Sequence, residues 1–281
     1  MNILTIDIED WFHILDQEET SYSKWSSYEV RIHNNVDRIL EMLDTHYVKA
    51  TFFCLGWIAE QYPEVIKKIH SSGHHIGSHS NLHVLANKVN YKEFSEDLKA
   101  SINNIEDLIG VKVDTYRAPG FSINEDSGYV FELLYKNGIK TDSSFFCSTH
   151  THGGVSKKIK PKPLILNFKG SIIHEFPISS YNFVYRIPFT GGGYFRFIPY
   201  PFIQYFFKNS NYNVSYFHPR DFDSGQPVIK DFNFLRKFKS YYGLNSSFSK
   251  FKSLINNFDF ISIEDAMHVV NWNKTEKINL T

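Results

Sequence analysis

The 281-residue sequence contains only two cysteines, Cys54 and Cys147, too few for a disulfide framework. It has no surplus of either charge, since thirty Lys and Arg balance thirty Asp and Glu. Without a basic surplus there is no electrostatic ground for expecting nucleic acid, whose binding usually needs a basic face. No apolar run approaches the roughly 18 residues that span a bilayer. The opening MNILTIDIEDWFH has no basic leader, no long apolar segment and no small-residue cleavage site, so it lacks a secretory signal. Together these absences set the expectation of a reduced, cytoplasmic protein with no transmembrane segment.

What is present argues for a folded α/β domain. Apolar residues reach 42%, enough for a large core, and charged residues at 21% argue against disorder. The pattern alternates strand and helix. NILTIDI, KATFFCLG, HHIGSHS, VDTYRAPGF and IKTDSSFF read as short buried strands. Between them, apolar spacing predicts helices over 30–46, 57–72 (interrupted by Pro63), 91–109 closed by Gly110, and 124–137 before Gly138. A Lys- and Pro-containing stretch between Cys147 and Gly170 reads as a surface loop. The pattern resumes with SIIHEFP, a glycine-rich TGGGYFR, the strand NVSYFHP, helices near 230–257 and a final strand FDFISI. Strands separated by helices pair in parallel and need helical cover. No linker divides the chain, so residues 1–281 are expected to form one domain.

The unusual polar residues gather at strand ends. Asp7, Glu9 and Asp10 follow the first strand, His79 and His83 the third, and Arg117 the fourth; Asp142 lies in the fifth and His218 closes a late one. In a parallel α/β barrel these ends share one rim, where sites are built. His79 and His83, four apart in HSNLH, can share one face of a helical turn and reach one ion. On their own they are more simply read as solvated loop residues, or one of them as a hydrogen-bonded core residue.

These segments resemble the polysaccharide deacetylase family, the family 4-like carbohydrate esterases with the NodB homology domain. LTIDIED stands where that family has an apolar strand ending in Thr-Phe-Asp-Asp. HSNLH matches its His-Ser/Thr-x-x-His motif, RAPGF its Arg-x-Pro motif, ATFF its second strand and FHP its late histidine. GGGYFR with FHPRDFD resembles a subgroup from exopolysaccharide gene clusters. The motifs fall within about residues 1–225, leaving C-terminal helices and the final strand over 226–265.

The resemblance implies a single-domain, distorted (β/α) barrel and a divalent metal, zinc before cobalt, iron, nickel or manganese. It implies His79 and His83 as ligands, Asp7 as general base, Arg117 as its partner and His218 as general acid. The carboxylate ligand stays open, because Ile8 occupies the family's second Asp position. Asp10 is favoured if the chain turns at the strand end; Glu9 shares the strand parity of Asp7 and is the alternative. Asp142 could hold His218, touch substrate or cap a strand end. Pro119, Gly120, Gly192 and Tyr194 are further substrate-binding expectations, Gly192 through an accessible backbone amide. Gly191 and Gly193 share that expectation, and Trp11 and Phe121 could stack on a sugar ring.

The implied reaction is removal of an N-acetyl group from an amino sugar of a surface polysaccharide, or of its lipid- or nucleotide-linked precursor. The alternatives are hydrolysis of a non-sugar C–N bond on the same scaffold, or carbohydrate binding without catalysis. The expected partner is an N-acetylated saccharide, and the expected place is the bacterial cytoplasm. The aromatic stretch YFRFIPYPFIQYFF could touch the inner membrane face, although a buried helix is the plainer reading.

Overall fold

The first strand is buried along nearly its whole length, the mark of a parallel strand covered on both faces. Leu4, Ile6 and Ile8 pack outward with the helices, whereas Ile3 packs inward with Phe53, Phe176 and Tyr216. Each buried aliphatic side chain stabilises the fold by about 1.5–3 kcal/mol relative to exposure.

The computed structural model describes residues 1–15, 21–147, 152–155, 159–182 and 186–280. Its strands are β1 (Asn2–Ile8), β2 (Thr51–Cys54), β3 (His75–Ser78), β4 (Thr115–Tyr116), β5 (Thr141–Asp142), β6 (Leu164–Phe168), β7 (Ser171–Glu175), β8 (Ser180–Asn182), β9 (Arg186–Pro188), β10 (Asn213–Phe217) and β11 (Glu276–Asn279). Its helices are α1 (Ile32–Thr45), α2 (Gly56–Gln61), α3 (Pro63–Ser71), α4 (Tyr91–Ile109), α5 (Gly128–Lys136), α6 (Gly192–Phe197), α7 (Tyr200–Lys208), α8 (Phe234–Tyr241), α9 (Leu244–Asn257) and α10 (Ile263–Val269).

The main sheet runs β10-β1-β2-β3-β4-β5-β7-β6-β11, parallel from β10 to β7, with β6 antiparallel to β7. Side chains draw its two sides together. Ser179 Oγ donates to Tyr212 O (3.2 Å) and accepts from Val214 N–H (2.8 Å), tying the exit of β7 to β10. Tyr212 donates its hydroxyl to Pro177 O at 2.9 Å. The result is the distorted (β/α) barrel. Helix α10 plugs its amino end, with Ile263 and Ala266 in the interior cluster and Ile263 N–H on Thr51 Oγ1 at 2.8 Å.

Several elements follow their local signals closely. Pro63 separates α2 from α3 as the first residue of the second helix, where its missing N–H costs nothing. Asn90 caps α4 reciprocally with Glu93, and Gly110 ends it in the left-handed conformation. Other expectations need correction. FDFISI is not a strand: Ile261 makes one bridge to Ile3, and Ser262 then caps α10. The stretch from Cys147 to Gly170 is not all loop, because Leu164–Phe168 forms β6; residues 148–151 and 156–158 of it lie outside those described. The expected helix over 124–137 spans only Gly128–Lys136. The aromatic stretch after Gly193 is two short helices that bury Phe195, Ile203, Phe206 and Phe207 and expose Phe197, Phe202 and Tyr205.

Candidate active site

The carboxyl ends of β1, β3, β4 and β10 meet at one mouth. At the end of β1 the backbone turns sharply, Glu9 N–H donating to Asp7 O at 3.0 Å. That turn separates three acidic side chains. Asp7 points into the barrel, Glu9 reaches toward β3, and Asp10 swings to the start of α1.

Glu9 Oε1 lies 3.0 Å from both His79 Nε2 and His83 Nε2, all three residues being buried. A backbone carbonyl only accepts, so the 2.8 Å contact between His79 Nδ1 and Arg117 O puts the His79 proton on Nδ1. His79 Nε2 therefore faces a carboxylate oxygen. A contact of that length needs a positive centre between the two atoms, either a proton on Nε2 or a metal ion. Two imidazole nitrogens and one carboxylate oxygen converging on one point are a donor set that fits a divalent transition metal. Burial opposes the Glu9 charge, but His83, His218 and His79 hold its carboxyl well below the ordinary range.

The two histidines do not meet on a helical turn. Ser80 and His83 both take left-handed backbone, with φ of 69° and 55°. Asp97 of α4 accepts the N–H groups of Asn81 and Leu82, both at 2.9 Å, and Ser80 Oγ accepts Val84 N–H. Non-glycine residues in that region are strained and persist where surrounding contacts over-determine them.

Asp10 does not join the histidines. Its Oδ2 accepts N–H from Arg31 (2.7 Å) and Ile32 (2.9 Å) at the start of α1, and its Oδ1 accepts Trp11 N–H. It is spent on capping, and Glu9, the alternative, takes the place facing His79 and His83.

Asp7 Oδ1 pairs with Arg117 Nη1 at 2.7 Å in a fully buried ion pair. Thr5 Oγ1, Ser143 Oγ and Ser143 O accept the other Arg117 donors, and the guanidinium lies 4.2 Å from the Phe53 ring centroid. Breaking such a pair from one side strands a buried charge, at a cost of about 3–5 kcal/mol.

His218 closes the far side. Its Nε2 is 3.8 Å from Asp7 Oδ2 and 3.7 Å from Glu9 Oε1. Its Nδ1 is 2.9 Å from Asp221 Oδ2, and Arg196 Nε lies 3.2 Å from the other Asp221 oxygen. Burial alone would lower the His218 pKa, but Glu9, Asp221 and Asp7 outweigh it and raise it to about 9. Asp221, not Asp142, holds this imidazole. The signal for it was there in HPRD: an acid three residues beyond a histidine followed by proline forms a one-turn cap.

Asp142 is fully buried and touches neither His218 nor the mouth. It accepts Ser144 O–H (2.7 Å) and N–H (3.1 Å), and lies beside Glu175 on the neighbouring strand β7. Burial and the Asp142 charge push the Glu175 carboxyl well above the ordinary range, so Glu175 keeps the proton of the pair. Phe121 is also buried, against Phe146 and Tyr216. Trp11 is buried with its Nε1–H on Glu29 O. Trp11 also packs edge-on against Phe12 and Tyr28. Gly191 and Gly192 are pressed on β10: a Cβ on Gly191 would stand 1.7 Å from Tyr216 O, and one on Gly192, whose φ is 53°, 3.2 Å from the Tyr216 ring. Those glycines serve close packing. Tyr194 is exposed, and Pro119–Phe121 form a single 3-10 turn with Gly120 at φ 60°.

Residues 22–139 match the family model described as polysaccharide deacetylase. The chain carries a polysaccharide deacetylase domain. Residues 143–268 match a second model, a domain of unknown function (DUF3473). The mouth draws on more than the deacetylase match: His79, His83 and Arg117 lie within it, His218 lies in the second match, and Asp7 and Glu9 precede both. A peptidoglycan-N-acetylglucosamine deacetylase from Bacillus cereus is 37% identical over 89 residues, covering 32% of each chain. A peptidoglycan deacetylase from Helicobacter pylori is 31% identical over 116 residues, covering 41% of this chain and 39% of the relative. The chain thus matches about a third of the length of these two curated relatives. Among solved structures, a candidate polysaccharide deacetylase from Mycobacterium smegmatis superposes with a TM-score of 0.65 at 20% identity, covering 100% of this chain and 93% of that one. A CE4 family pseudoenzyme from Bacillus anthracis superposes at 0.51 and 14% identity, over 100% of this chain and 67% of that one. A fold shared with a pseudoenzyme carries no activity by itself; the side chains at the mouth of the deacetylase domain must.

Proposed function

We propose that this protein is a metal-dependent amide hydrolase that removes an N-acetyl group from an amino sugar of a surface polysaccharide, or of its lipid- or nucleotide-linked precursor. The observation that carries the reading is the convergence of Glu9, His79 and His83 on one point, flanked by the Asp7–Arg117 pair and the His218–Asp221 pair. Glu9, His79 and His83 would hold the ion, and zinc suits two imidazoles with one carboxylate. When bound, the ion acidifies water and polarises the amide carbonyl.

The chain's own residues supply the rest. Asp7 accepts a proton from water as its oxygen adds to the carbonyl carbon, and Arg117 holds that carboxylate in place. His218 gives a proton to the nitrogen as the C–N bond breaks, yielding acetate and a free amine. Asp221 fixes the His218 tautomer and ring plane. Exposed Tyr194 and the turn at Pro119 and Gly120 support a saccharide at the mouth. The buried, unpaired thiols of Cys54 and Cys147 support a reducing, cytoplasmic setting.

The test is acetate release from N-acetylamino-sugar conjugates, together with metal content after purification. His79→Ala is expected to lose both metal and activity. Asp7→Asn is expected to keep the metal and lose roughly 100-fold or more in turnover. An active Asp7→Asn protein would remove the base assignment. Metal without acetate release from any amino sugar would favour a non-sugar C–N substrate, and absence of metal would favour a binding protein.

A further inference from the structure

Helix α8 is unlike every other α-helix among the described residues, because it buries none of its side chains. Its sequence FLRKFKSY places Phe234, Leu235 and Phe238 at i, i+1 and i+4, one stripe along the cylinder. Phe234 is 85% exposed and Leu235 60%. The stripe continues beyond the helix: Phe238 stacks toward Tyr242 with centroids 4.8 Å apart, and Phe197 at the end of α6 lies 6.2 Å from Phe238 and 5.8 Å from Tyr242. Five large apolar side chains thus form one uncovered strip. Exposed apolar side chains gathered in this way mark an interaction surface.

Charge says what kind. From Phe232 to Phe258 the chain carries Arg236, Lys237, Lys239, Lys250 and Lys252 and no acid at all, within a protein whose total charges balance. Lys237 and Lys239 sit beside the apolar stripe. Long basic side chains next to exposed Phe and Leu suit a bilayer interface, with rings in the acyl boundary and ammonium groups on anionic headgroups. A second copy of the chain packed on this strip about a two-fold axis would set Lys237 and Lys239 against like charges.

Both ends of α8 are fastened to the mouth. Arg236 Nη2 donates to Leu15 O at 2.6 Å, and the Leu15 side chain stands close against Gly120. At the other end Arg196 donates to the carbonyls of Lys239, Ser240 and Tyr242 at 2.9–3.1 Å, while its Nε lies 3.2 Å from Asp221. We infer that the strip of Phe197, Phe234, Leu235, Phe238 and Tyr242, flanked by Lys237 and Lys239, docks this protein on an anionic lipid bilayer. The docking stands apart from the hydrolase reading, since it concerns a surface and not the chemistry of the mouth.

Co-sedimentation of the full chain with vesicles tests it. The protein is expected to sediment with phosphatidylcholine vesicles containing phosphatidylglycerol and to stay in solution with phosphatidylcholine alone, the bound fraction falling as salt rises. The exposed double variant Phe234→Asp with Leu235→Asp is expected to lose the binding while keeping its melting temperature and its activity on a soluble substrate. Lys237→Glu with Lys239→Glu is expected to weaken partition roughly tenfold or more. Absence of wild-type binding, or variants that bind as wild type does, overturns the assignment. A dimer in light scattering that Phe234→Asp makes monomeric, with no vesicle binding, gives the strip to a second copy and overturns it too.

Discussion

At the scale of single residues, the division of labour among three neighbouring acids decides the site. Strand parity made Glu9 a fair alternative, and the sequence alone favoured Asp10 because a turn was expected after Ile8. The turn is there, but it comes at Asp7–Glu9 and sends Asp10 to α1. Asp10→Ala should therefore keep the metal and cost about 0.5–2 kcal/mol in stability, the usual loss of a helix cap. Glu9→Gln should lose most of the metal with little effect on the melting temperature of the metal-free protein. Metal content and thermal melts of both variants separate the two roles, and the reverse pattern would restore Asp10 as the ligand. His79, His83, Arg117 and His218 were legible because motif order brought them together. Asp221 and Arg196 were not, since short polar residues near a proline are common and only the tertiary contact singles them out.

Among the elements, regular helices were the most readable, because capping and apolar spacing are local. α4 runs from the residue after Asn90 to the residue before Gly110, as its spacing implied. Strand β6 closes a tight hairpin with β7 across Lys169 and Gly170, within a stretch that reads as loop by composition. Strand β11 escaped because its partner β6 lies far back along the chain. The glycine-rich turn has a packing role that likewise depends on a distant partner. Its residues resemble an open anion cradle, yet Gly191 lies where no side chain fits against the Tyr216 carbonyl. Gly191→Ala should force β10 to shift, costing about 1–3 kcal/mol as overpacking does. The shift would also carry His218 with it, so turnover should fall along with stability. A melting curve and acetate-release rate unchanged from wild type would show the contact to be softer than its geometry.

For the whole molecule, composition bounded the class correctly and the strand-end pattern located the barrel mouth. It could not locate the proton hidden beneath. Asp142 and Glu175 lie side by side on β5 and β7, with raised carboxyl pKa values caused first by burial. A raised folded pKa means the folded state binds more protons. Its stabilisation is complete below the unfolded value of about 4.5 and is lost as pH climbs toward the folded value. Glu175→Gln mimics the protonated form at all pH. Relative to wild type it should gain stability from about pH 5 upward, by at most about 1.4 kcal/mol per pH unit for one proton. Parallel stability curves for the two proteins would rule out the shared proton.

The position of β1 between β2 and β10 has a consequence for how this molecule comes into being. Strand β1 is synthesised well before the segment Asn213–Phe217 and must wait for it before its second edge is covered. Until then a ribbon carrying Ile3, Leu4, Ile6 and Ile8 stands open to any other extended chain. Synthesis halted at the end of the segment that matches known deacetylases would leave Asp7 without His218 across from it. Such fragments should stick to chaperones, and only the arrival of β10 covers the open edge and closes the mouth.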